Sequence, residues 1–258
     1  NQDCEDFVSW FCDTAQAQGC ETAIFLGDWH HNRASINVST LNYTTSNLRR
    51  LSEAFDEVIM ITGNHDLYYR EKREIHSLSM IEEFKNIRMI NNEMFIEDGV
   101  AFIPWLCDDE WKKLKEIDCK FMFGHFELPS FYMNALVQMP DHGGLKAEHL
   151  SGPEYVFSGH FHKRQYKNNI HYIGNAFPHN YADTWDDDRG MTILEWGGQP
   201  QYYNWPGQPT FRTIKLSELI DKADSIILPK QHLRVSLDID ISEISAENFP
   251  LIFFSILT

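Results

Sequence analysis

A layered α/β fold is what this sequence predicts, on three observations. Four short, largely apolar runs each end in glycine followed by hard or borderline metal ligands. These are residues 23–26 before Gly27-Asp28-Trp29-His30-His31, 58–62 before Gly63-Asn64-His65-Asp66, 120–123 before Gly124-His125, and 155–158 before Gly159-His160-Phe161-His162. Such runs suit strands covered on both faces, and glycine at the carboxyl end lets the backbone turn so that the next side chains face a crevice. Helical periodicity separates the first two runs, and strand, helix, strand implies a parallel pair with a right-handed crossover. Finally, 258 residues at 43% hydrophobic suffice to bury the core of one large domain and the start of a second.

The elements follow in order. Residues 3–18 carry Phe7, Val8, Phe11 and Ala15 at helical spacing and stop at Gly19, which predicts an amphipathic helix with a glycine cap. The first ligand strand comes next, then a polar loop over 32–40 and a helix over 41–55 leading into the second ligand strand. A helix is expected near 75–84, short strands at 88–90, 94–96 and 100–103, and a helix over 109–117 before the third ligand strand. Between 127 and 151, Pro129, Pro140, Gly143 and Gly144 break any pattern and predict a loop framing the cleft. After the fourth ligand strand, the short runs 165–168, 171–173, 191–196, 201–204 and 211–214 read as a β-meander. Pro229 follows a short helical stretch, and residues 233–241 alternate strictly, so a strand is expected there to open a second unit. The division expected is 1–225 and 226–258.

Composition narrows the function classes. No apolar run approaches the ~20 residues of a membrane span, and no basic-then-apolar leader opens the chain, so the cytoplasm is the default compartment. The five cysteines are scattered and never spaced Cys-x-x-Cys, which argues against a disulfide framework or a zinc knuckle. A formal charge of -16 argues against a surface that grips nucleic acid unaided, although bound divalent cations would offset several carboxylates. Basic residues do gather beside the motifs: Arg70, Lys72 and Arg73, then Lys163, Arg164 and Lys167.

A lone His-x-His such as His160 and His162 is weak evidence for a metal, but four glycine-ligand junctions at equivalent points are not a coincidence of packing. Together these residues resemble the calcineurin-like metallophosphoesterases, whose pattern runs Asp-x-His, Gly-Asp, Gly-Asn-His-Asp/Glu, Gly-His and Gly-His-x-His. Residues 24–216 carry all but the first. Asp28-Trp29-His30 also spells the first motif, but no second Gly-Asp stands between 31 and 62, and a full helix precedes the strand. Asp28 therefore matches the second motif, and the sequence is expected to begin after its first.

The resemblance implies a four-layer α/β/β/α sandwich and two divalent metal ions, manganese first and iron or zinc next, with one site incomplete in this chain. Asp28 would bridge the ions, Asn64, His125 and His160 would bind the second, and His162 would belong to the first. Carboxylate, amide oxygen and imidazole suit such metals, and two ions ~3.5–4 Å apart can hold a bridging hydroxide for attack on a phosphoryl group. His65 corresponds to the general acid beside the leaving oxygen, with Asp66 orienting it.

His31 matches the additional histidine of Gly-Asp-x-x-His in the SbcD-type DNA-repair nucleases, including phage recombination nucleases paired with an SbcC-like ATPase. Supporting stretches are Ile103-Pro104-Trp105, Gly124-His125-Phe126-Glu127-Leu128, Tyr172-Ile173-Gly174-Asn175 and Asp188-Arg189-Gly190. The resemblance thus implies a DNA substrate, an ATPase partner, a homodimer, and a DNA-facing cap domain beginning near 226. Two other readings stand beside it: a small-molecule phosphatase or cyclic-nucleotide phosphodiesterase, favoured by the net charge, and a non-catalytic scaffold. His30 and Trp29 are expected to pack or bond locally, and His179 to line the cleft.

Overall fold

The computed structural model describes residues 1–239 of the chain. Helix α1 (Gln2–Ala17) buries Val8, Cys12 and Ala15, one stripe at helical spacing, and the chain turns at Gly19 with φ +75°. Strand β1 (Thr22–Phe25) follows, then α2 (Val38–Ala54), capped by the Asn37 side chain accepting from Thr40 N at 2.8 Å, and β2 (Glu57–Ile61). A hairpin of β3 (Leu67–Tyr69) and β4 (Lys72–His76) precedes β5 (Ile87–Ile90). The strands β1, β2 and β5 form a parallel sheet in that order. Period-2 alternation divides β2: Val58 and Met60 face the two helices, whereas Ile59 and Ile61 face the other way.

The helix expected over 75–84 does not form. Residues 72–76 pair with β3, and only Ser79–Glu83 winds, as a 3-10 turn. Local periodicity lost there to hairpin pairing and to burial of Leu78 and Ile81 against the first sheet.

The second sheet gathers β6 (Phe95–Glu97), β7 (Val100–Ile103), β8 (Phe121–Gly124), β9 (Tyr155–Ser158), β10 (Gln165–Lys167) and β11 (Ile170–Tyr172). Its order is β10-β11-β9-β8-β7-β6, parallel in the middle with antiparallel edges. Phe102, Phe121, Phe123 and Phe157 pack on Leu26, Ile59, Ile61 and Ile90, so the two sheets meet face to face. The fourth layer is not helical in the way the third is sheet: Leu114, Phe126, Leu128, Met139 and Leu150 cover the outer face from 3-10 turns and the irregular 127–151 segment. The helix expected over 109–117 is the 3-10 turn Glu110–Glu116, where Leu114 is the buried residue.

The expected meander is also divided. Residues 165–172 complete the second sheet, β12 (Gly190–Ile193) and β13 (Gln201–Asn204) form a separate antiparallel pair, and β14 (Thr210–Lys215) pairs with neither. Helix α3 (Leu216–Ile226) carries the chain back so that β15 (Gln231–Ser236) runs parallel to β14. The alternating strand is thus hydrogen-bonded to a strand placed before the expected division, and residues 240 and 241 of it lie outside the described residues.

Candidate metal centre

The glycines set the geometry. A Cβ on Gly27 (φ +92°) would lie 2.4 Å from His125 Nδ1, and one on Gly63 would lie 2.2 Å from Asp28 Oδ1. The strand ends therefore approach more closely than any side chain permits. Asp28 (φ 62°) and His160 (φ 77°) adopt the left-handed region, which ordinary residues occupy only where their surroundings enforce it.

Asp28, His125 and His160 offer ligand atoms that all lie within 4.8 Å of one another. Asn64 completes the group: its Oδ1 is 3.2 Å from His125 Nε2 and 3.0 Å from His160 Nδ1. Asp28 Oδ2 is 3.2 Å from the same His125 nitrogen. Each histidine has spent its other nitrogen on an acceptor. His125 donates through Nδ1 to the Leu26 carbonyl at 2.6 Å, and His160 donates through Nε2 to Glu127 Oε2 at 3.1 Å. In the neutral rings the lone pairs therefore turn inward, towards a carboxylate and an amide oxygen.

Four converging acceptors with no donor among them fit a divalent cation, and a mixed oxygen and imidazole set suits Mn, Fe or Zn. Without an ion the Asp28 carboxylate instead attracts a proton to His125, which a bound cation would displace. Burial pushes His160 towards its neutral form, whereas in His125 the burial penalty is outweighed by the Asp28 carboxylate, so its pKa lies above the ordinary value. Burial penalises Asp28 too, yet His125 and the His65 N–H hold its carboxyl far below the usual range. Positive charge is favoured at the centre.

Asp66 does not touch His65 through its side chain, contrary to expectation. Its carboxylate accepts from the backbone N–H of Asp28 (2.8 Å), Gly63 (2.9 Å) and His30 (3.1 Å), clamping the two ligand turns together. Burial and the nearby Asp28 charge push its pKa up to about 7 despite those three donors. His65 is held instead by His31. Its Nδ1 donates to the His31 carbonyl at 2.8 Å, and the two rings stack with centroids 5.1 Å apart. His30 is buried and bonded locally, through Nδ1 to Ser77 Oγ and through Nε2 to Thr44 Oγ1, both at 2.8 Å.

His162 stands outside the group of three. Its Nδ1 is 3.6 Å from Asp183 Oδ1, and its ring meets that of His179 edge-on at 5.6 Å. Asp183, fully buried, also faces Arg189 and accepts from His179 N at 3.0 Å. Burial and His162 push His179 down to about 4.

Sequence reasoning missed the roles of Asp183 and Glu127. The acidic residue two after His125 was a signal for the second; nothing local marks the first. The hairpin also contributes: Trp105 Nε1 donates to the Arg70 carbonyl at 2.9 Å, and the Trp105 ring lies 5.3 Å from that of His160.

Comparison with known proteins places these features among relatives. A family model described as calcineurin-like phosphoesterase matches residues 2–164. The chain is 27% identical over 198 residues to exonuclease subunit 1 of Enterobacteria phage T4, covering 74% of this chain and 57% of that protein. It is 26% identical over 195 residues to the uncharacterized protein R555 of Acanthamoeba polyphaga mimivirus, covering 67% of this chain and 14% of that one. The chain thus spans little more than half the length of one curated relative and a small part of the other.

Proposed function

Because the chain belongs to the calcineurin-like phosphoesterases, a family of hydrolytic enzymes that use divalent metals, we propose that it hydrolyses phosphodiester bonds of DNA. The observation that carries this reading is the inward-facing acceptor set of Asp28, Asn64, His125 and His160 with His65 beside it. The similarity to a phage exonuclease subunit supports DNA as the polymer.

In this proposal Asp28, Asn64, His125 and His160 hold a divalent ion, manganese first, and His162, faced by Asp183, serves a second. Bound ions supply charge neutralisation at the phosphoryl oxygens and a nucleophile at neutral pH. The chain's own residues do the rest. Asp66 fixes the turns that carry Asp28 and Asn64. Glu127 and the Leu26 carbonyl fix the ring orientations of His160 and His125. His65, with Nδ1 committed to the His31 carbonyl, presents Nε2, which in the imidazolium form carries the proton the leaving oxygen takes and leaves the ring neutral. His31 acts by holding that ring.

Residues 1–225 are proposed as the phosphoesterase unit and 226–258 as the start of a cap, with an ATPase subunit and a second copy as partners. The net charge of -16 favours small esters instead. Manganese-dependent hydrolysis of end-labelled linear DNA, beside a phosphomonoester and a cyclic nucleotide, separates the two, with His65→Ala as control. Turnover of the small esters alone would replace the nuclease reading.

A further inference from the structure

A cavity of about 170 Å³ opens directly beside the candidate metal centre, sharing His125 and Glu127 with it. Trp105 and Trp111 line it, with Met139 and Leu145 from the irregular 127–151 segment. Trp105 is buried, and its ring packs against both His160 and His125. The space is smaller than the ~300–1,000 Å³ of typical drug-sized sites, which limits it to one planar group.

The polar lining decides what that group is. No lysine or arginine lines the cavity, and its three carboxylates, Asp108, Glu127 and Asp141, outnumber the imidazoles of His125 and His142, so the wall disfavours a phosphate. The acceptors Asp108 and Glu127 do line it. Glu127 meets both Arg70 and His160 through Oε2, so among the described residues its Oε1 has no partner. Trp105 is already packed on His160 and Arg70, so Trp111, half-buried, is the ring left to stack on a base of any kind, and a free carboxylate oxygen accepts from the exocyclic amine of adenine, cytosine or guanine.

We propose that this cavity receives one unstacked nucleobase, amino-bearing in preference, from the nucleotide whose phosphate lies at Asp28, His125 and His160. The proposal rests on the phosphodiesterase reading and deepens it: the enzyme takes hold of an unpaired end or a splayed base, not of an intact pair. Stacking of this kind is worth ~1–3 kcal/mol per base.

The test needs no bond cleavage. The deoxyriboside of 2-aminopurine, whose fluorescence falls on stacking and which carries no phosphate to meet the Asp28 carboxylate, is titrated with the metal-free chain. Deoxyadenosine should displace it, and 2-deoxyribose should not. Gly144 lines the cavity, a Cβ there meets nothing within 4 Å, and its φ lies outside the left-handed range, so Gly144→Leu fills the mouth without strain. That variant should bind at least tenfold more weakly at an unchanged melting temperature. Trp111→Leu provides a second test, and should lose the quenching.

Displacement by 2-deoxyribose, or binding by both variants at the parent's affinity, overturns the proposal. Nucleoside binding without DNA hydrolysis would remove the nuclease reading and leave the base site. DNA hydrolysis without nucleoside binding would do the reverse.

Discussion

His65 Nδ1 donates to the backbone carbonyl of His31 at 2.8 Å, and the two imidazoles lie nearly parallel at an interplanar angle of 12°. One nitrogen of His65 is thereby fixed as a donor, and only Nε2 remains for substrate. His65→Ala should cut turnover by about 10²- to 10⁴-fold, the usual contribution of a general acid, while metal content stays that of the parent. Steady-state rates together with elemental analysis check this; loss of the metal would make His65 a ligand.

Asp28→Asn keeps a side chain that tolerates φ 62° and can still accept from His65 N, now at 2.7 Å, so the fold should persist. Its lost charge should abolish tight manganese binding and lower turnover on the order of 10²-fold or more, since even residues behind the ligands cost 10–100-fold. Titration calorimetry with manganese reads the first effect, and a fully active variant would contradict the assignment.

Gly63→Ala places a methyl 2.2 Å from Asp28 Oδ1 and 2.5 Å from Asp28 N. Overpacking of this kind costs about 1–3 kcal/mol. Urea unfolding should show that loss together with weakened metal binding, while Gly152→Ala, whose Cβ meets nothing within 4 Å, should change neither.

Glu110 accepts from Arg73 Nη1 at 3.0 Å and from Cys107 N at 2.9 Å. Burial opposes its charge, but these donors hold its carboxyl below the usual range. A depressed folded pKa stabilises above the unfolded value of ~4.3, and that contribution disappears as pH falls through the folded one. Glu110→Gln should therefore be less stable than the parent at pH 7, by about 1.5–3 kcal/mol, the worth of bonds to a charged group. The gap should close below pH 4, as followed by urea midpoints across pH.

Among the described residues one cluster offers three close metal-ligating groups, with His162 apart from it. One tightly held ion per chain is expected, and chelation should lower the melting temperature because the ion binds the folded state alone. Elemental analysis finding two tightly held ions would contradict this.

The glycine-ligand junctions were legible because strand periodicity and glycine are local signals, and each lies where a strand delivers it. The α/β/β order followed from them. What stayed hidden depended on partners far along the chain. Asp66 sits beside His65 in sequence, yet its bonds cross to Asp28 and His30, and nothing near residue 66 indicates that. Residues 72–76 look helical until β3 is available to pair with them. Asp183 reads as a loop acid until Arg189 and His162 surround it.

The bond from His125 to the Leu26 carbonyl joins residues 99 positions apart, and Gly159 closes against the same carbonyl. Synthesis runs from the amino terminus, so the first sheet has left the ribosome long before the fourth ligand junction exists. An ion held by Asp28, Asn64, His125 and His160 would therefore be captured only after the first sheet is made, and that sheet must pack without help from it. If such an ion is bound, a chain made without it would hold its first sheet packed and its ligand set unfilled.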